Sequence, residues 1–196
     1  MPRRPEQFEE IREKSREKIL AAALELFANK GYDATSIDSI AKKAGISKGL
    51  IYNYFESKKS ILLAIFKEAI SQGEQILHDQ KGITDPYKRL KMIIEQVFDM
   101  IHQNPEYFKL FMVLSLQPIV MEDTKDIAKK MFKKSQKLVG SMFGESKEND
   151  PVKGMMLDAL LDGIMLNYIR YGDQYPIDVL KDRIIEDYCT PKKKGR

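Results

Sequence analysis

Residues 36–55 read SIDSIAKKAGISKGLIYNYF, two short apolar patterns separated by AGIS. In the first, Ile37, Ile40, Ala41 and Ala44 recur at i, i+3, i+4 and i+7, which is one face of a helix. Thr35 or Ser36 can cap that helix, and Asp38 in its first turn suits the positive end of the helix dipole. Gly45 can take a left-handed conformation, and Ser47 can cap a second helix directly after it. Two helices joined by so tight a turn make a helix-turn-helix, which holds its second helix proud of the body.

Placed at 100° per residue, the second helix (about 47–55) turns Ile51 and Phe55 toward the core. Gly49 and Asn53 fall on the opposite side, with Leu50 and Tyr52 on the flanks and Ser47 and Lys48 at the N-terminus. This outer set is small, polar or amphipathic, the kind of face a recognition helix presents to a major groove. The N–H groups at its start also suit a phosphate. An ordinary surface helix would leave an exposed glycine beside Tyr52 and Tyr54 unexplained.

The composition is compatible with a well-solvated globular chain: 43% of residues are apolar and 32% charged. No apolar run approaches the roughly 20 residues of a bilayer span, and MPRRPEQFEEIREKS lacks the apolar core of an export signal. The expectation is a soluble, cytoplasmic protein. The single Cys189 cannot close an internal disulfide, and the two histidines, His78 and His102, lie far from it, so no metal site or cofactor is expected. No nucleophile–base arrangement and no phosphate-binding glycine loop points to an enzyme. Net charge is +4 but unevenly placed. Residues 1–59 carry 12 Lys/Arg against 9 Asp/Glu, residues 60–188 carry 17 against 20, and the end of the chain adds four cations. A basic head on an acidic body suits an anionic partner at the head.

Helical periodicity dominates elsewhere, and no period-two strand stands out. Phe8, Ile11, Ile19, Ala22, Ala23, Leu26 and Phe27 form a first stripe, stopped by Gly31. A helix from Ser57 runs through Ile61, Leu62, Ile65 and Phe66 and fades toward Leu77. Asp85 and Pro86 signal the next start, which leads into the stripe Tyr87, Leu90, Ile94, Val97 and Ile101. NPEYF and NDPVK repeat the Asx-Pro signal. YFKLFMVLSL (107–116) is apolar nearly all round, as a buried central helix would be, and Pro118 is expected to end it. A helix through Ile127, Met131, Leu138 and Met142 carries a solvated lysine face, Lys129, Lys130, Lys133, Lys134 and Lys137. After the polar loop GESKEND, VKGMMLDALLDGIMLNYIRYG and a last helix with Ile177, Leu180, Ile184 and Tyr188 complete an all-α chain of about nine helices. The tail ends in KKKGR.

The stretch TSIDSIAKKAGISKGLIYNYFESKKSIL (35–62), with ILAAALELFANKGY before it, resembles the DNA-binding domain of the tetracycline-repressor (TetR/AcrR) family of bacterial transcription regulators. The resemblance runs from about Ile11 to Ala69. It implies a helix-turn-helix domain at 9–57, a helical ligand-binding and dimerisation domain at 58–190 and a basic tail at 191–196. Carried over position by position, it implies that Thr35 and Ser36 bind the DNA backbone. Lys48, Gly49 and Leu50 then form the recognition tip, with Ser47 beside them at the helix N-terminus, and Tyr52 and Lys58 meet phosphates. Asn53 and Tyr54 match positions that vary with operator sequence. Leu50 departs from the small or polar residue common in the family.

The same resemblance implies a homodimer formed through the last two helices and bound to a palindromic double-stranded operator. It also implies a repressor released by a small-molecule effector. For such a mostly apolar ligand the candidate lining is Phe98, Phe108, Met112, Met155 and Met156, each of which suits an ordinary core as well. The alternative within the same fold is a regulator or chromosome-associated factor that needs no ligand.

Overall fold

The computed structural model describes residues 5–80, 82–142 and 151–190. The loop at 144–150, the tail at 191–196 and the side chains of Phe8, Lys137, Leu138 and Met142 lie outside the described residues. Among those described the fold is all-α. In chain order the helices are α1 (Pro5–Lys30), α2 (Ile37–Ala44), α3 (Lys48–Tyr52), α4 (Lys58–Asp79) and α5 (Pro86–Gln103). They continue with α6 (Pro105–Ser115), α7 (Pro118–Met142), α8 (Pro151–Tyr171) and α9 (Ile177–Tyr188). No described helix is long and apolar enough to cross a membrane.

The chain divides into two compact units: Met1–Ser71 with Glu106–Lys125, and Gln72–Pro105 with Asp126–Arg196. α4 runs from one into the other, and the boundary falls beside Gly73.

In the first unit Ile19, Ala23 and Phe27 of α1 are fully buried with Ile40, Ile51, Ile61, Leu62, Leu114 and Val120. Among the described side chains of the α1 stripe, burial is thus confined to the second half. Ile11 is 44% exposed, and the neighbouring surface carries the ion pairs Lys14–Glu10 and Arg16–Glu13. The expectation of a fully buried 107–116 helix is also corrected. Leu114 alone of α6 is buried, while Val113 and Leu116 stand 41% and 56% exposed. An apolar sequence places such a helix at a core but does not say how many of its faces are covered. Pro118 does not end α6, which stops at Ser115; it opens α7, where a missing N–H breaks no helical bond.

In the second unit Leu90, Ile94, Phe98 and Ile101 line the inner face of α5, and Leu157, Ile164, Ile177 and Ile184 supply that of α8 and α9. α5 and α8 each pack on α9. Asp85 caps α5 as the sequence indicates: its Oδ1 accepts from Tyr87 N at 2.9 Å and Lys88 N at 3.1 Å. Cys189 is buried, and that burial pushes its thiol up to about 11. Lys129, Lys130, Lys133 and Lys134 are exposed along α7.

The turn between α2 and α3 follows the sequence reading closely. Ser36 caps α2, and it exchanges hydrogen bonds with Ser39: Ser39 N donates to Ser36 Oγ at 3.1 Å and Ser36 N to Ser39 Oγ at 3.2 Å. The same Ser-x-x-Ser exchange opens α4 between Ser57 and Ser60. Gly45 closes α2 at φ 70°, ψ 31°, a left-handed conformation that a Cβ disfavours by about 1–2 kcal/mol. Ser47 Oγ then accepts from Leu50 N at 3.2 Å to start α3.

One substitution therefore has opposite effects at two glycines. Gly45→Ala should lower unfolding free energy by about 1–2 kcal/mol. Gly73→Ala, inside α4 where an added Cβ meets nothing within 4 Å, should raise it by about 0.5–1 kcal/mol. Urea denaturation of both variants measures this, and equal signs would contradict the backbone assignment.

Candidate nucleic-acid interface

α3 is shorter than the expected 47–55. It spans five residues, Lys48–Tyr52, and Asn53 closes it in a further turn in which Tyr54 N and Phe55 N both donate to Ile51 O at 2.9 Å. A single helical turn does not persist alone in water. Its support is Ile51, fully buried, and Phe55, 7% exposed, with Ser47 capping one end and α2 packed behind it.

This anchoring leaves an outward face. Ser36, Ser47, Lys48, Gly49 and Asn53 are exposed, and Tyr52 is half exposed. Leu50 and Tyr54 are half-buried on its flanks. Lys48 Nζ pairs with Asp38 Oδ2 at 3.1 Å, and that hydrogen bond and charge raise the lysine's pKa. The ammonium is therefore held charged at the tip of α3 but is not free: a phosphate must compete with Asp38 for it. The Asp38 partner was not foreseen, because it stands ten residues away across the turn and no periodicity links the two.

Two of the sequence-derived candidates are engaged within the fold. Thr35 is 3% exposed, and its hydroxyl has Leu26 O at 3.2 Å and Gly31 O at 2.8 Å. Its side chain holds the α1–α2 loop and offers no free donor to a DNA backbone. Lys58 Nζ donates to Tyr32 O at 2.8 Å, Thr35 O at 2.9 Å and Asp33 O at 3.1 Å, and sits 4.5 Å from the centre of the Tyr32 ring. An ammonium has three protons, and all three point at loop carbonyls. The sequence shows a lysine at a helix start; it does not show three carbonyls converging there.

The candidate ligand residues are divided between the two units. Phe98 is a fully buried core residue of the second unit, whereas Phe108 and Met112 are half-buried in the first. Met155 and Met156 are 40% and 60% exposed on α8, turned away from the interior of their unit. The second unit carries an open cleft of about 380 Å³ lined by His102, Tyr168, Asp173, Tyr175 and Asp178, among others. None of the five candidates lines it. Among the described residues no cluster of His, Cys, Asp and Glu could hold a metal ion.

Comparison with known proteins singles out the same region. Residues 19–65 match the family model described as bacterial regulatory proteins, tetR family. The HTH-type transcriptional activator FasR of Mycolicibacterium smegmatis is 32% identical over 100 residues, half of this chain and 46% of that one. The fatty acid metabolism regulator protein of Bacillus subtilis is 36% identical over 84 residues, 42% of this chain and 43% of that one. The chain thus spans about half the length of these curated relatives. Among solved structures, FadR of Bacillus halodurans, a fatty acid degradation regulator, superposes over both full chains with a TM-score of 0.74 at 19% identity. FadR of Bacillus subtilis, solved in complex with stearoyl-CoA, covers 88% of this chain and 97% of its own with a TM-score of 0.70 at 21% identity. These two show a shared fold.

Three substitutions separate the roles of the charged groups. On a mixed-sequence duplex, Lys48→Ala should lower the slope of log affinity against log salt by about one. Asp38→Asn should tighten binding to every sequence, because it frees Lys48 and removes an anion from the face. Lys58→Met should leave the salt slope unchanged and lower stability by about 1–3 kcal/mol, as charged hydrogen bonds are lost. If Lys58→Met reduces the slope instead, the ammonium leaves its carbonyls to meet DNA.

Proposed function

We propose that this chain, which belongs to the tetR family of bacterial regulatory proteins, is a sequence-specific DNA-binding transcriptional regulator. It acts as a repressor that a small, mostly apolar effector releases from its operator. The observation that carries this reading is the outward face of α3. Lys48, Gly49, Tyr52 and Asn53 stand exposed on a helix held in place from behind by Ile51 and Phe55. Ser36 and Ser47 add exposed hydroxyls at the two helix starts. Such a face meets base edges through Gly49 and Asn53 and backbone phosphates through Lys48 and Tyr52. Leu50 and Tyr54 flank it, and Thr35 and Lys58 hold the loop that aims it.

One such helix reads only a few base pairs, so two copies acting on a palindrome are needed. The surface that pairs them is the outer side of α8 and α9. Val152, Met156 and Leu166 are each more than half exposed on α8, as is Val179 on α9. Large exposed apolar patches on soluble proteins mark interaction sites. A fatty acyl compound is the first effector class to test, because a named relative regulates fatty acid metabolism and a neighbour of the same fold was solved with stearoyl-CoA. An effector shifts the equilibrium only through its preference for one conformation.

The test begins with selection of a duplex from a random pool, followed by footprinting and light scattering. The expected result is a palindromic footprint with half-sites about 34–36 Å apart, or a multiple of that, bound by a dimer that Met156→Glu dissociates. Stearoyl-CoA should then raise the melting temperature and weaken operator binding. Thermal stabilisation with unchanged operator affinity would leave the DNA-binding reading standing and remove the effector.

A further inference from the structure

The loop from Gly31 to Ser36 lies between two groups distant in sequence. Lys58 takes the carbonyls of Tyr32, Asp33 and Thr35. The other group is Gln117, at the corner between α6 and α7. Its Oε1 accepts from Tyr32 N at 2.8 Å, and its Nε2 donates to Phe27 O at 2.7 Å. One carboxamide thus bridges a carbonyl in the last turn of α1 and the first amide after the Gly31 turn, where φ is 91°. Tyr32 is 6% exposed and its ring meets Phe27 edge-on at 5.0 Å, so its amide has little access to water as a substitute partner.

Gln117 itself is firmly placed. Its N–H donates to Leu114 O at 3.2 Å, and its carbonyl accepts from Met121 N at 2.9 Å in the first turn of α7. Leu114 and Val120 on either side are fully buried. A second tie lies nearby, Lys59 Nζ to Asp123 Oδ1 at 2.5 Å. All of these residues belong to the first unit, yet the segment Glu106–Lys125 enters it from the second unit and returns to it.

We infer that Gln117 is a positioning residue for the DNA-binding face: its carboxamide fixes the end of α1 and the loop that delivers Ser36 to the start of α2. The effect travels through backbone. Tyr32 O and N are held from opposite sides by Lys58 and Gln117, Thr35 N donates to Tyr32 O at 3.3 Å, and Ser36 caps α2, on which α3 packs. Displacing the α6–α7 corner must therefore break this bridge or carry the loop with it. The inference rests on the DNA-binding reading for its functional consequence, but the bridge itself is measured without DNA.

The experiment uses the full chain and the duplex selected from a random pool. Gln117→Met removes both hydrogen bonds at nearly constant volume. Hydrogen exchange at the Tyr32 amide should accelerate on the order of tenfold, and affinity for the selected duplex should fall by a similar factor, with the salt slope unchanged. Gln117→Glu keeps an acceptor for Tyr32 N–H but sets a carboxylate against Phe27 O, which favours the protonated acid and raises its pKa. Its affinity relative to wild type should be low at pH 8 and recover as pH falls toward 5, when the new carboxyl regains a donor. Gln117→Met stays low relative to wild type at both. That recovery distinguishes a bridge from generic packing.

If Gln117→Met leaves Tyr32 exchange and affinity as in wild type, the inference is overturned. Should that variant not fold, a flat pH profile for Gln117→Glu relative to wild type overturns it equally. If the wild-type chain selects no duplex at all, the DNA-binding reading fails, and the exchange measurement still decides whether the bridge exists.

Discussion

A chain that turns from one helix into the next within six residues must find partners for every backbone group it buries there. The loop after α1 is where this requirement is most severe, because Tyr32 is buried and the loop's own length allows few internal bonds. Long-range side chains meet the need. Lys58 collects three carbonyls, Thr35 returns a hydroxyl to the end of α1, and Gln117 bridges Phe27 O and Tyr32 N. An unpaired buried backbone group costs free energy comparable to a lost hydrogen bond, so these partners fix the loop as firmly as apolar packing fixes the helices. The orientation of α2, and of α3 packed on it, depends on that loop.

The helix-turn-helix was largely legible because its determinants are local. Gly45 needs its left-handed turn, Ser36 and Ser47 sit where caps must sit, and Ile51 and Phe55 are one turn apart. Each of these follows from spacing within a few residues. The roles of Thr35 and Lys58 were not legible, since both depend on which carbonyls converge in space. The same holds for the pairing of Lys48 with Asp38 and for the bridge at Gln117, whose partners lie 85 and 90 residues away. In the remainder, helix starts at Pro86, Pro105 and Pro151 could be read from Asx-Pro signals. Which apolar faces are covered could not, and α6 and α8 show why: periodicity reports that a face is apolar, while its burial is decided by neighbours. Met155 and Met156 are an instance, apolar in sequence and exposed on α8.

Charge is arranged by contact more than by count. The modest excess of basic residues in the first third is partly neutralised locally, with Lys43 on Glu25, Lys48 on Asp38 and Lys59 on Asp123. Such exposed pairs contribute little to stability. They do mean that the first unit carries fewer available cations than its sequence suggests, and that an anionic partner at Lys48 has to displace a carboxylate already there.

The brevity of α3 has a consequence for how such a protein can change over generations. Within the helix, Ile51 is the residue in the buried class, while Gly49, Tyr52 and the following Asn53 stand in solvent with no share in the core. Substitutions at those positions fall where effects on folding are usually within about half a kcal/mol, provided the cap at Ser47 and the anchors at Ile51 and Phe55 remain. The outward surface and the anchoring of the helix are thereby assigned to different residues of one helical turn. A duplicated copy of the gene can vary this outward face without passing through unstable intermediates, which makes the short turn a permissive place for new surface chemistry to arise.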